Sequence, residues 1–448
     1  MAKVDVLIVG AGFAGIKAAC ELKAAGRTVK VIEARDRVGG RSMPGEIAGN
    51  TIDLGGQWVG PDQKLLMAEA GVQGVETYAQ YTKGKSVLEM NGSRKAHLGD
   101  VPKLPLLSLL ELSRLEKRWN REMETLPEAA PWTAALAQQW DSQTLETWIG
   151  DSLWTKGAKD FARIVARAVV CAEPSQLSYL YFLEYLRSGH GMEKLIGVEG
   201  GAQQDKFRGG AWSIVKSMAD SLGDDIILEA PVRSLSQTEE GVTLETDKGH
   251  FEGDYVIIAI PPALAGRISY NAPMPASRDA LTQRMPMGSV IKLHVAYETP
   301  FWRKQGLSGA ATSDKRAFNV VFDQTPEDEN CGILVGFIDA NHAVEATKQG
   351  ANHRRAEAIE DLMAYFGPQA GQPIGFVEQN WTQEEWSRGC YVGHMAPGVM
   401  TTYGEALRAP CGRVHWAGTE TATEWLGYLD GALQSGIRAA DEVHQRLS

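Results

Sequence analysis

Gly10, Gly12 and Gly15 occupy the run Gly10-Ala11-Gly12-Phe13-Ala14-Gly15, and Glu33 follows about twenty residues later. This is the pattern of a dinucleotide cradle. Gly10 permits a tight turn, Gly12 lets backbone approach a pyrophosphate, and Gly15 lets a helix pack on a strand. The phosphates would lie at a helix N-terminus, where free N–H groups favour an anion, and Glu33 would hold ribose hydroxyls. A second residue with chemical potential is Lys292, set among Val290, Ile291 and Leu293. An ammonium in such a run is costly unless it is hydrogen-bonded or serves a site.

The elements that must position these residues are legible around them. Val4 to Val9 reads as a buried parallel strand, Ile16 to Ala25 as a helix stopped by Gly26, and Thr28 to Glu33 as a second strand. Together they make a βαβ unit. Leu65 to Thr144 reads as helical. Within it, Leu104 to Leu112 has only half the ~20 residues of a membrane span. A buried core helix is expected there, with a surface patch as the alternative. The alternating charges of Arg114 to Glu122 suggest a solvated helix face. Short strands are expected at 226–229, 232–235 and 242–245, with turns at 239–241 and 247–249 and a buried strand at 255–260. Strands at 290–297 and 332–338 point to a second sheet, and 354–366 to a helix.

The totals exclude several classes. A chain of 448 residues exceeds one simple core, so two domains are expected. The net charge of −11, from 56 acidic and 45 basic residues, argues against nucleic acid and anionic membrane partners. Five scattered cysteines without a CxxC pair fit a reducing compartment and offer neither a disulfide framework nor a metal site. No stretch reaches ~18 apolar residues, and the N-terminus has no basic leader region. A cytoplasmic protein without a membrane anchor is expected.

Four further segments carry a resemblance. Glu33 to Arg41 contains Val38-Gly39-Gly40-Arg41, and Asp53 to Trp58 contains Gly55-Gly56-Gln57-Trp58. Trp381 leads to Arg388-Gly389-Cys390-Tyr391, and Ala417 to Ala432 contains Gly418-Thr419-Glu420 and Gly427-Tyr428. With the N-terminal glycines and Met287 to Lys292, these segments resemble the flavin-containing monoamine oxidases along nearly the whole chain. The resemblance implies an α/β fold in which a Rossmann-like FAD-binding domain (1–80, 204–286 and 384–448) interleaves with an α+β substrate domain of mixed sheet and helices (81–203 and 287–383).

The same resemblance implies roles. FAD would be held by Gly10, Gly12, Gly15, Glu33, Arg35, Gly40, Arg41, Gly56, Gln57, Trp58, Val232, Trp381, Gly418, Glu420 and Gly427, with Arg41 meeting the diphosphate. Cys390 matches the residue that bonds the flavin 8α-methyl group in some relatives, while others hold FAD without a bond, so both states stay open. Tyr391 and Tyr428 match a phenol cage around the amine, and Lys292 a residue that assists reoxidation by oxygen. Gln203, Ile196, Val169, Tyr185, Val320 and Phe337 would line the substrate cavity. The implied reaction takes a small amine to its imine by hydride transfer, then to aldehyde or ketone, with molecular oxygen reduced to hydrogen peroxide. Homodimer formation stays open. Gln57-Trp58 stands where amino-acid oxidases place an arginine, and Val59-Gly60-Pro61 lacks the histidine common in polyamine enzymes. A monoamine is therefore expected ahead of those substrates. A dehydrogenase with another acceptor, or a flavin-bearing scaffold, are the remaining alternatives.

Overall fold

The computed structural model of the protein describes residues 3–99, 104–328 and 330–448. Its first sheet grows from the N-terminal βαβ unit. Val4–Val9 buries its apolar run Val6 to Val9, and it pairs in parallel with Val29–Ile32 on one side and Gly249–Ile258 on the other. Ile226–Ile227 extends the parallel part beyond Val29–Ile32, and Val414–Trp416 pairs in parallel with Gly249–Ile258. An antiparallel meander of Val232–Gln237, Val242–Thr246 and Gly249–Ile258 continues the sheet.

Helix Phe13–Ala24 covers this sheet with Phe13, Ile16, Ala18, Ala19 and Leu22. The C-terminal helix Leu429–Leu447 packs against it through small residues. A Cβ added at Gly436 would lie 2.4 Å from the Ala14 carbonyl oxygen, so only glycine allows that approach.

The second sheet has seven strands. Their order is Gly375–Asn380, Val290–Tyr297, Gly332–Asp339, Val320–Asp323, Leu307–Ser313, Lys85–Met90 and Ser93–His97. Every residue of Val290–Tyr297 and of Gly332–Asp339 is buried. Lys292 thus stands in an interior strand, flanked by Phe337 and Gln379. Helices Leu106–Met123, Lys156–Val170 and Tyr179–Ser188 build a separate apolar cluster over this domain, around Trp119, Trp148 and Phe182.

Two expectations need correction. The stretch 65–144 is not uniformly helical, because Lys85–Met90 and Ser93–His97 form a hairpin on the edge of the second sheet. Its turn, Asn91-Gly92, has φ of 52° and 74°, the left-handed pair that a two-residue hairpin requires. The leucine-rich start of Leu106–Met123 is not core. Leu106, Leu107 and Leu110 are 72%, 69% and 51% exposed, while the helix buries Leu115 and Trp119 instead. Spacing along this helix, not local apolar density, selects the buried face.

Candidate active site

One cavity of about 400 Å³ runs from the glycine turn to the helical domain. At one end lie Gly10, Gly12, Glu33 and Gly40. Gly10 has φ +102°, and a Cβ there would meet Ile260 at 2.8 Å. A Cβ on Gly15 would lie 1.9 Å from the Gly10 carbonyl oxygen, so Gly15 joins helix to turn. Gly12 behaves differently, since the nearest atom to its Cβ would be Gly40 Cα at 3.9 Å. The two glycines lie side by side, a Cβ on Gly40 coming 3.3 Å from Gly12 Cα, and no side chain caps the helix that starts beyond Gly12. A pyrophosphate fits that cradle, next to free first-turn N–H groups. Glu33 is 3% exposed and accepts from the Ala11 N–H at 2.7 Å and the Arg35 N–H at 2.9 Å. Its carboxylate is fixed at the strand end where a ribose would lie. Arg35 is held by Glu384 at 2.7 Å and Ser387 at 2.8 Å.

Arg41 also lines the cavity, and its two terminal nitrogens hold protein acceptors. Nη1 and Nη2 reach Glu420 Oε1 and Oε2 at 2.6 and 2.9 Å, and Nη1 also reaches the Tyr391 carbonyl at 2.8 Å. Burial works against the guanidinium charge, and Glu420 more than offsets it. A buried ion pair with Glu420 ties the second glycine turn to the Cys390-Tyr391 segment and fixes Arg41 on the cavity wall. Glu420 itself lies behind the cavity wall, fully buried, and also accepts the Gly393 N–H. Val232 is not part of the wall either. It begins a strand paired with Thr246 and packs into the apolar cluster under the first sheet.

The middle of the cavity is built by the second sheet and the C-terminal segments. Lys292 is 2% exposed and donates to the Gly55 carbonyl at 2.8 Å and to Gln57 Oε1. Gln57 in turn donates to Gln324 Oε1 at 2.9 Å. Burial lowers the Lys292 pKa, with the Asp53 charge opposing it, and burial raises that of Asp53, with Lys292 opposing. Each therefore moves toward its neutral form. Trp58 stacks edge-on to Phe322 at 5.3 Å. Trp381 donates from its indole to the Leu54 carbonyl at 2.9 Å. The Cys390 thiol is buried, and burial pushes its pKa up to about 12 against the pull of Arg41.

Tyr391 and Tyr428 line this same cavity, and burial raises both phenols above their ordinary values, so both are neutral. Tyr391 meets Phe337 edge-on at 5.8 Å, and Tyr428 meets Trp425 at 5.2 Å. Thr419 pins the second tyrosine's backbone. Its hydroxyl donates to the Tyr428 carbonyl and accepts from the Gly427 N–H, both at 2.8 Å. Gly427 has φ +89°, a conformation that favours glycine. Gly56 and Gly418 complete the lining here.

At the far end stand Ile196, Val169, Val320, Tyr185 and Gln203. Tyr185 donates to the Val169 carbonyl at 2.8 Å. Gln203 donates to the Leu195 carbonyl at 3.0 Å, while its side-chain oxygen has no partner. Sequence reasoning missed Gln324, Thr312, Ile260 and Asp339 as parts of this region. Only Asp339 carried a local signal, a lone carboxylate at the end of the apolar run Gly332 to Ile338.

A continuous cleft with a dinucleotide cradle at one end and an aromatic-lined pocket at the other is the arrangement of a two-domain flavoenzyme. The chain matches the family described as flavin containing amine oxidoreductase over residues 13–444, and it belongs to that family. It is an amine oxidase with an FAD-binding and a substrate domain. It is 37% identical to the flavin-containing amine oxidase B of Canis lupus familiaris over 98% of this chain and 86% of the relative. Among solved structures, wild-type putrescine oxidase bound to putrescine superposes with a TM-score of 0.96 at 33% identity, covering 99% of this chain and 100% of the other. Cyclohexylamine oxidase from Brevibacterium oxydans IH-35A gives 0.95 at 32% identity, covering 100% of both. Among the described residues no helix is long and apolar enough to cross a membrane.

Proposed function

We propose that the protein oxidises small, non-carboxylate amines to imines with oxygen as electron acceptor, releasing hydrogen peroxide. The observation that carries this reading is one cavity walled both by Gly12 and Gly40 and by Lys292, Tyr391 and Tyr428. Bound in the cradle, FAD supplies the two-electron chemistry for both half-reactions.

The chain's residues do the rest. Gly12, Gly40 and the helix N-terminus hold the diphosphate, and Glu33 holds the ribose. Gln57, Trp58 and Trp381 wall the ring end. The two neutral phenols, Tyr391 and Tyr428, desolvate the amine and orient its lone pair, and their electron-rich faces suit the nitrogen. Gln203 offers its unpartnered oxygen to the substrate. Val169, Ile196, Tyr185, Val320 and Phe337 exclude water. Lys292, biased toward neutrality by burial, would hold a proton at the ring end of the cavity and assist reoxidation by oxygen.

Cys390 is the proposed point of covalent attachment, since its side chain lines the ring end of the cavity. The proposed FAD-binding segments are 1–80, 204–286 and 384–448, and the substrate segments 81–203 and 287–383. A cytoplasmic setting is proposed on the five free cysteines, four of them buried.

The test is a peroxide-coupled screen of the purified yellow protein against primary, secondary and cyclic amines, amino acids and polyamines. Turnover of simple amines with release of peroxide supports the reading. Turnover confined to amino acids, or to artificial acceptors without peroxide, refutes it. Acid precipitation decides attachment separately, because a colourless pellet rules out the Cys390 bond.

A further inference from the structure

Among the described residues, the atoms bonded to Lys292 Nζ are two neutral oxygens, the Gly55 carbonyl at 2.8 Å and Gln57 Oε1. The carbonyl is backbone and fixed. The Gln57 side chain is a buried amide, and an amide offers an acceptor at one end and donors at the other. With its oxygen toward Nζ it stabilises an ammonium. With its NH2 turned there, an ammonium loses one of its two acceptors and meets a donor instead, which favours the neutral amine. Whatever holds Gln57 in the first orientation therefore bears on the charge of Lys292.

Gln324 holds it. Gln57 Nε2 donates to Gln324 Oε1 at 2.9 Å, and both side chains are buried. Gln324 follows the strand Val320–Asp323 on backbone that is tied from both sides. Its own N–H donates to the Ile333 carbonyl at 2.7 Å. Asp323 before it accepts from the Trp302 indole at 2.7 Å and from Arg303 at 2.8 and 3.0 Å, and the Thr325 N–H after it donates to Asp323 Oδ1 at 2.8 Å. The same corner supports Trp58. The Trp58 indole donates to Gln80 Oε1 at 2.9 Å, and Gln80 Nε2 donates to the Asp323 carbonyl at 2.6 Å. Both side chains of Gln57-Trp58 thus take their positions from Asp323-Gln324.

The surroundings give this amide leverage over the lysine. Burial lowers the Lys292 pKa, and the Asp53 charge opposes it. Asp53 is shared with Lys206 and also accepts from the Ala211 N–H at 2.9 Å. Burial keeps Cys390 a thiol, and burial together with Lys292 keeps His294, two residues along the same strand face, neutral. The rings of Trp58 and Phe337 stand 5.5 and 5.8 Å from Nζ. With no carboxylate bonded to the ammonium, the orientation of one neutral oxygen counts.

We propose that Gln324 is a positioning residue for the oxygen step: it fixes the Gln57 amide with its oxygen on Lys292 and so keeps Lys292 able to hold a proton. The proposal rests on the amine-oxidase reading above and on the role given there to Lys292. Gln324 acts only through Gln57.

The experiment follows reoxidation of the amine-reduced holoenzyme by oxygen in stopped flow, over about pH 6 to 10, in the wild type, Lys292→Met, Gln324→Leu and Gln324→Glu. The Lys292 midpoint is the one that Lys292→Met abolishes. Gln324→Leu frees the Gln57 amide, and the midpoint should fall by about one pH unit. Gln324→Glu keeps the acceptor and adds a negative charge, and the midpoint should rise by about one unit. Reduction by the amine should change by less than about threefold in both. Melting reads the same shift without turnover. Above its midpoint the folded chain lacks the Lys292 proton that the unfolded chain keeps up to 10.5, so stability grows with pH in that window. That growth should begin at lower pH in Gln324→Leu and at higher pH in Gln324→Glu. A midpoint unmoved in Gln324→Leu, or moved the same way in both variants, overturns the proposal. Should Gln324→Leu fail to give folded holoenzyme, Gln324→Glu decides alone, and an unmoved midpoint overturns the proposal. A wild type without a Lys292 midpoint removes the Lys292 role and this proposal while leaving amine oxidation standing. A wild type that turns over no amine removes all three.

Discussion

Arg41 and Glu420 meet as a two-bond pair, Nη1 to Oε1 at 2.6 Å and Nη2 to Oε2 at 2.9 Å, across 379 residues of chain. The glutamate is fully buried, and the exposed fifth of the arginine side chain opens on the cavity it lines. Both charges are desolvated, so removing one partner strands the other. Glu420→Ala is expected to cost about 3–5 kcal/mol, the usual penalty for an orphaned buried charge. Because Arg41 also holds the Tyr391 carbonyl, flavin content should fall with stability. Thermal melting and the ratio of flavin to protein absorbance check this. A variant that melts within a degree or two of wild type would show that the pair is not needed.

The cradle glycines separate folding from binding. Gly15→Ala places a methyl 1.9 Å from the Gly10 carbonyl oxygen, and no backbone can yield that much, so this variant should fail to give folded protein. Gly12→Ala meets nothing nearer than 3.9 Å. Its methyl fills the space kept for the pyrophosphate. That variant should fold as a colourless protein, with circular dichroism like the apoprotein and FAD affinity lowered by about tenfold or more. A fully yellow Gly12→Ala protein would move the diphosphate elsewhere.

Lys292→Met removes an ammonium whose donors go to Gly55 and Gln57. The methionine has similar length and suits the all-buried strand, so the fold should survive. In stopped-flow measurements, reoxidation by oxygen should slow by about 10²-fold, in the range of a lost proton-handling group. Reduction by the amine should change much less. Equal slowing of both steps would assign Lys292 a purely structural role.

The parts of the site that a local rule governs could be read from the sequence. The glycine spacing specifies its own turn, and a lysine among Val290, Ile291 and Leu293 needs a reason wherever the strand lies. Contacts across long separations could not. Nothing near Arg41 announces Glu420, and nothing near Gln57 announces Gln324, 267 residues away. The hairpin 85–97 failed differently, because Asn91-Gly92 is a turn signal but the strand after it, Ser93 to His97, is polar and mostly exposed and shows no apolar alternation. The exposed leucines 106, 107 and 110 show the reverse error. Apolar composition does not fix burial, since the partner surface decides which helix face is covered, and here it covers Leu115 and Trp119.

Asp339 makes the pH dependence of stability testable. Its pKa is raised by burial from 3.8 to about 6. Below 3.8 both folded and unfolded chains carry the proton and the group contributes no penalty. Between 3.8 and about 6 the unfolded chain releases its proton first, so the folded state binds more protons and loses stability as pH rises. Above about 6 the penalty is constant, on the order of 3 kcal/mol, since each tenfold change in proton affinity is worth ~1.4 kcal/mol. Asp339→Asn removes the titration. Without substrate, the variant should therefore melt higher than wild type at pH 8 and lose that advantage near pH 4. A melting difference that stays flat from pH 4 to pH 8 would mean that the carboxyl group titrates alike in the folded and unfolded chains, so that burial imposes no penalty on its charge.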